Sequence, residues 1–204
     1  MAEILKYIVK NKLPKTISSG IMNSYKRWKH WYRVVMDRET EKYVKSLPFK
    51  KLSALEISGS RWEKFGFASY RSVRYPKFDV CNATLDDCFD IIIAEQVLEH
   101  VLHPHRAVRN LYSMLNSGGV LVITAPFFIK VHSYPVDCSR WTQEGLKQLL
   151  IEGGFDPEKI KLGSWGNRAC IVANFKRSAK WIPYMHSLKN EAEFPVTVWA
   201  FAEK

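Results

Sequence analysis

The sequence predicts an α/β fold built on a mostly parallel, doubly wound sheet. Two observations come from one stretch. Phe89–Ala94 and Val120–Ala125 are continuous apolar runs bounded by polar or turn-forming residues, as fully buried strands are. Between them, Ala107, Val108, Leu111 and Leu115 fall on one face of a helix predicted over His103–Asn116. A strand, a helix and a strand so closely spaced form a βαβ unit, whose strands pair in parallel. The third observation is a further strand segment, Ser53–Ser58, that turns at a glycine, Gly59.

The elements follow in chain order. Ile4, Leu5, Ile8 and Val9 have helical spacing, and Pro14 ends that segment. A second segment follows Gly20, with Tyr25, Trp28, Tyr32 and Val35 on one face and Lys26, Arg27, Lys29 and Arg33 on the others. Helix is expected to continue over Asp37–Leu47, until Pro48 breaks it. Ser53–Ser58 is the first strand, Arg61–Phe65 a short helix and Tyr70–Tyr75 the second strand. The interval to Phe89 is too short for another helix, strand and helix, so the fold is expected to be trimmed in the middle. Ser117-Gly118-Gly119 is expected to end the central helix with a left-handed cap, and Pro126 to stop the strand that follows. Thr142–Glu152 is a helix with Leu146, Leu149 and Leu150 inward and Gly153-Gly154 as its stop. Ile160–Leu162 and Val196–Ala202 are closing strands, separated by an insertion over 165–195 in which Arg168–Phe175 is helical. The organisation expected is an N-terminal helical arm or lid, 1–51, and a core, 52–204.

Charge sharpens that division. Residues 1–51 hold 13 Lys and Arg against 4 Asp and Glu, a net of +9 out of +11 for the whole chain. A basic arm with an aromatic face suits a peripheral membrane surface, an anionic substrate or nucleic acid, and could equally be a solvated face or a dimer surface. At 47% hydrophobic and 13% aromatic the chain is globular, with no apolar run approaching the about 18 residues of a membrane span. Lysines interrupt the N-terminal apolar residues, unlike a secretory signal. The four cysteines show no CxxC pairing, which points to reduced thiols, a cytoplasmic location and no metal site.

Several blocks carry a resemblance. Phe89-Asp90, Val97-Leu98-Glu99-His100 and Leu115-Asn116-Ser117-Gly118-Gly119 are followed by His132-Ser133-Tyr134-Pro135-Val136-Asp137, Arg140-Trp141-Thr142, Gly145-Leu146 and Gly153-Gly154-Phe155. In this order they resemble class I S-adenosylmethionine-dependent methyltransferases of the small, type 11-like kind, over roughly residues 52–155. The resemblance implies a Rossmann-like sheet with an antiparallel last strand, S-adenosylmethionine as cofactor and S-adenosylhomocysteine as product. It also implies a small-molecule acceptor, a sugar of a glycan or a natural-product intermediate, methylated on O or N. A catalytically inactive scaffold of the same fold is the alternative reading. An RNA methyltransferase is disfavoured, because Ala94 is followed by Glu-Gln-Val and not by an NPPY-type tetrapeptide.

The family's cofactor residues map onto Glu56, at the end of the first strand, and onto Ser58, Gly59 and Ser60, where the glycine-rich turn is mostly replaced by serine. Arg74 stands where the family has a ribose-binding carboxylate, so Asp79 is expected to supply one, with Val80 and Asn82 beside the adenine. Ala94, Glu95 and Gln96 are expected to face the methionine part, Glu95 holding its ammonium group, with His100 as an orienting residue. His132 is the expected base for a hydroxyl acceptor and Asp137 its orienting partner, while an Asp137–Arg140 ion pair that merely holds the loop is the alternative. Tyr134, Arg140, Trp165, Asn167 and Arg168 are expected to bind substrate.

Overall fold

The computed structural model describes residues 29–176 and 179–204. The first predicted helical segment, and the part of the second that precedes residue 29, therefore lie outside the described residues. Helix α1 spans Trp31–Ser46 and is followed by β1 (Ser53–Ile57), β2 (Ser69–Val73), β3 (Phe89–Glu95), α2 (Pro104–Ser113) and β4 (Leu115–Pro126). Then come α3 (Gln143–Glu152), β5 (Ile160–Trp165), α4 (Arg168–Lys176) and β6 (Thr197–Glu203). The strands form one sheet in the order β2-β1-β3-β4-β6-β5. β1 pairs in parallel with β2 and β3, β3 in parallel with β4, and β6 runs antiparallel to both β4 and β5. The middle is trimmed as expected. A 3-10 turn, Glu63–Phe65, is the only helical element between β1 and β2, and none lies between β2 and β3.

Side-chain alternation along the strands builds two cores. Ile92, Ala94, Leu121 and Ile123 face Ala107, Val108 and Leu111 of α2 and Leu146, Leu149 and Leu150 of α3. Ile91, Ile93 and Val122 face the other side, where Trp31, Val35, Met36 and Val44 of α1 pack with Cys170 and Ile171 of α4. The apolar stripe of α1 recurs at spacings of one turn, which is why this helix lies along the sheet. Asp90 pins the amino end of the sheet. Its carboxylate accepts from the Ser53 backbone N–H and hydroxyl, each at 2.8 Å, and from Asn116 Nδ2 at 2.8 Å. These bonds, led by the backbone one, hold its pKa below the ordinary value.

The region after α2 departs from the sequence expectation. The helix ends at Ser113, and β4 starts at Leu115. The register jumps from Phe89↔Leu115 to Ile91↔Val120, so residues 116–119 bulge out of the ladder. Gly118, at φ 73°, serves that bulge and not a helix cap. The bulge is tied to the chain end by Gly118 N–H to Lys204 O and Lys204 N–H to Gly119 O.

The stop after α3 is where expected. Thr142 caps the start, accepting from Gly145 N–H at 3.0 Å, and Gly154 turns the chain at φ 114°. A Cβ at Gly154 would meet the Tyr112 ring at 3.2 Å. Gly154→Ala is expected to lower stability by about 1–2 kcal/mol, chiefly from the backbone conformation. A urea titration checks this, and an unchanged midpoint would show that the turn relaxes freely.

Candidate active site

The strand order reverses between β1 and β3, and in open parallel sheets ligands bind outside the carboxyl ends at such a point. The residues there are Ser58–Ser60 after β1 and Glu95–Gln96 at the end of β3. The turn after β1 is held from beneath by Glu56, which is buried. Its Oε1 accepts from Arg61 N–H at 3.1 Å, and its Oε2 from Trp62 N–H at 2.9 Å and Tyr70 O–H at 2.7 Å. Glu56 Oε1 lies 1.9 Å from where a Cβ on Gly59 would stand, so only glycine lets the turn fold down over this carboxylate. Ser58 takes the left-handed conformation, φ 62°, and donates its N–H to Val73 O. Ser58 and Ser60 are exposed at the lip. Gln96 is left-handed as well, φ 55°, its N–H donating to Thr124 O and its side-chain amide to Thr124 Oγ1 at 3.1 Å. Two non-glycine residues in a costly conformation thus follow the two strands at the reversal point, held by their neighbours.

A second centre joins two stretches distant in sequence. The turn Val97–Val101 and the loop 127–142 after β4 are stitched together. His100 Nδ1 lies 2.6 Å from Val136 O, Cys138 N–H donates to Glu99 O at 2.7 Å, and Ser139 Oγ donates to Leu98 O at 3.0 Å. Asp137 organises the loop from inside. Its side chain is 2% exposed, it pairs with both terminal nitrogens of Arg140, and it accepts from His132 N–H at 2.7 Å. The Arg140 guanidinium pulls its carboxyl down to about 2. His132 Nδ1 lies 3.2 Å from Lys130 O and 3.3 Å from Asp137 Oδ2. The rings of His132 and His100 meet edge to face at 5.1 Å. Behind them Glu99 is fully buried, both its oxygens lack a hydrogen-bond partner, and burial pushes its carboxyl up to about 7.

Residues 69–160 match a protein family described as methyltransferase domain. The chain has the fold of class I, S-adenosylmethionine-dependent methyltransferases. The fold is shared with a methyltransferase of that type from Thermotoga maritima, 14% identical, covering 100% of each chain with a TM-score of 0.59. One from Archaeoglobus fulgidus is 16% identical, with 84% of this chain and 94% of that one covered and a TM-score of 0.55. One from Mesorhizobium loti is 16% identical, with 80% and 96% covered and a TM-score of 0.53. No curated protein matches the sequence significantly.

The turn after β1 keeps Gly59 at its close approach to Glu56, with Ser58 and Ser60 exposed on either side. The other predicted residues divide. Asp79 closes its own turn, accepting from Cys81 N–H at 2.9 Å and Asn82 Nδ2 at 2.6 Å. Val80 is buried, and its carbonyl accepts from Asn110 at 2.8 Å. Ala94 is buried in the sheet. Glu95 differs most from expectation. It is engaged by Arg61 Nη1 at 2.7 Å, Arg33 Nη2 at 3.0 Å and Thr40 Oγ1 at 3.4 Å, so it holds cations of its own chain where an ammonium group was expected. Arg61 also reaches Glu41 at 2.6 Å and Arg33 reaches Asp37 at 3.1 Å, tying α1 to the carboxyl end of β3.

In the insertion, two of the three residues expected to bind substrate are turned inward. Trp165 and Asn167 are buried, and their side chains donate to backbone carbonyls: Trp165 to Leu188, Asn167 to Ser187 and Lys189. They fasten the insertion to the sheet, because an aromatic N–H and an amide buried there must find acceptors. Arg168 is exposed and pairs with Glu191 at 2.7 Å. Tyr134 is 87% exposed on the same loop as His132. Arg33, Arg61 and Glu99 are the residues that sequence reasoning left out of the site. Glu99 carried a signal, a carboxylate directly after the apolar pair Val97-Leu98. The two arginines carried none, being ordinary members of a basic stretch and a turn.

Proposed function

We propose that this protein methylates a polar small molecule, a sugar or related intermediate, on a hydroxyl or amine. The observation that supports the reading is the stitching of the Val97–Val101 turn to the His132–Arg140 loop, which brings His132 against His100 in the turn after β3, with Tyr134 exposed on the same loop. The bound cofactor would supply an activated methyl group. Ser58, Gly59, Ser60 and Gln96 would line its place, with Asp79 and Asn82 offering polar groups from the loop after β2. His132 activates the acceptor and Asp137 positions it, because its carboxylate holds both the backbone and the ring of that histidine. Tyr134 offers an exposed aromatic surface for a sugar face, and Arg140 a fixed cation at the loop base.

Calorimetry with S-adenosylmethionine and S-adenosylhomocysteine comes first, followed by S-adenosylhomocysteine release over a panel of sugars and amines. His132→Ala is expected to lower turnover about a hundredfold while leaving cofactor affinity unchanged. A folded protein that fails to bind either compound at millimolar concentration would favour a non-catalytic scaffold instead.

A further inference from the structure

We propose that Glu99, His100 and His132 form a binding site for a divalent transition-metal cation, and that His132 activates the acceptor through this cation. The inference rests on the reading of His132 given above and specifies how it acts.

One ligand atom from each of the three residues lies within 4.8 Å of the others. Two imidazoles and one carboxylate are the ligand set that holds Mn, Fe, Co or Zn and leaves positions open. The hydrogen bonds settle which nitrogens are available. Val136 O can only accept, so His100 holds a proton on Nδ1, and Nε2 is the nitrogen left to meet a cation. Lys130 O does the same for His132. A backbone carbonyl behind each ring is the usual support of a metal-bound histidine. His100 Nε2 points toward Glu99 Oε1, 3.7 Å away. An ionised carboxylate and the Nε2 of a neutral imidazole are both acceptors, so a proton or a cation has to lie between them. Both Glu99 oxygens are buried without partners, an arrangement that costs free energy unless a proton or a cation occupies the gap. His132 is 41% exposed, so the cluster is closed at Glu99 and open at the side where an acceptor would enter. A cation there would take an acceptor oxygen in an open position and lower its pKa, so that the hydroxyl proton leaves toward solvent as the methyl arrives. The sequence pointed away from a metal because the ligands come from two separate loops and show no paired spacing.

The test uses the tag-free, full-length protein after treatment with a chelator. Titration with Co²⁺, followed by its visible absorption, and with Mn²⁺ and Zn²⁺ by calorimetry, is expected to show one equivalent bound. Glu99→Gln and His132→Ala should each weaken binding by at least about tenfold, the loss that follows even when an outer-sphere partner is removed. His105→Ala, outside the cluster, should leave it unchanged, and circular dichroism checks that each variant is folded. No binding of any of the three cations would overturn the site in favour of a proton shared by Glu99 and His100. Binding that survives both variants would place the metal elsewhere and overturn it as well. S-adenosylmethionine binding is measured in the same chelated sample. Its loss would refute the methyltransferase reading while leaving the cation result standing, whereas full methyl transfer after chelation would refute only the cation's role.

Discussion

Glu56→Ala is expected to destabilise the protein by about 3–5 kcal/mol and to abolish cofactor binding. One buried carboxylate accepts two backbone N–H groups and the Tyr70 hydroxyl, and charge-assisted bonds of this kind contribute about 1.5–3 kcal/mol each. Alanine leaves all of these donors inside the protein with no acceptor. The turn Ser58–Arg61 would then lose the support that lets it fold over Gly59. Glu56→Gln is the informative companion. Its single oxygen can serve Trp62 and Tyr70, but its amide would confront the Arg61 N–H, so roughly half the loss is expected. Urea denaturation gives the stability change and calorimetry the affinity. A Glu56→Ala protein that binds cofactor normally would show that the turn holds its shape without the carboxylate.

Asp137→Ala is expected to cost about 2–3 kcal/mol and to release the loop that carries His132. Removing one partner of a buried ion pair leaves the other charge uncompensated, typically at a cost of about 3–5 kcal/mol. The lower figure applies because Arg140 is 22% exposed and keeps Ser139 O at 2.8 Å. The second consequence is local. His132 loses the acceptor of its N–H and the carboxylate beside its ring, so amide hydrogen exchange should accelerate over residues 127–142 and stay slow in β3 and β4. Asp137→Asn, which keeps an oxygen in place, should show a smaller form of both effects. Uniform acceleration across the sheet would mean that Asp137 supports the fold as a whole and not the loop.

The legible part of the site was chemical and local. Val97-Leu98-Glu99-His100 and the His132–Thr142 block stand out in the sequence as candidate functional text, and the structure bonds them to each other. The end of β1 was readable too, because a buried acidic residue followed by a tight turn constrains the backbone within a few residues. Trp165 and Asn167 show where such reading fails. A cluster of polar and aromatic residues in an insertion has the composition of a pocket, and also of a buried anchor satisfied by carbonyls some twenty residues away. Composition does not distinguish them, since the deciding quantity is which acceptor lies within hydrogen-bond reach.

The sequence by itself determined the strands, the helices and the parallel βαβ core, because burial of apolar side chains imposes periodicities that can be counted along the chain. It also determined that the middle of the sheet is short, since chain length limits what can be built. The tertiary structure decided which charges meet. Glu95 is paired by Arg33 and Arg61, whereas Glu99 is sealed without a partner, although the two carboxylates are separated by only one turn of chain. Electrostatic fate depends on distance and burial in three dimensions, set by how α1 lies on the sheet and how the loop after β4 folds back. No local pattern of residues encodes either.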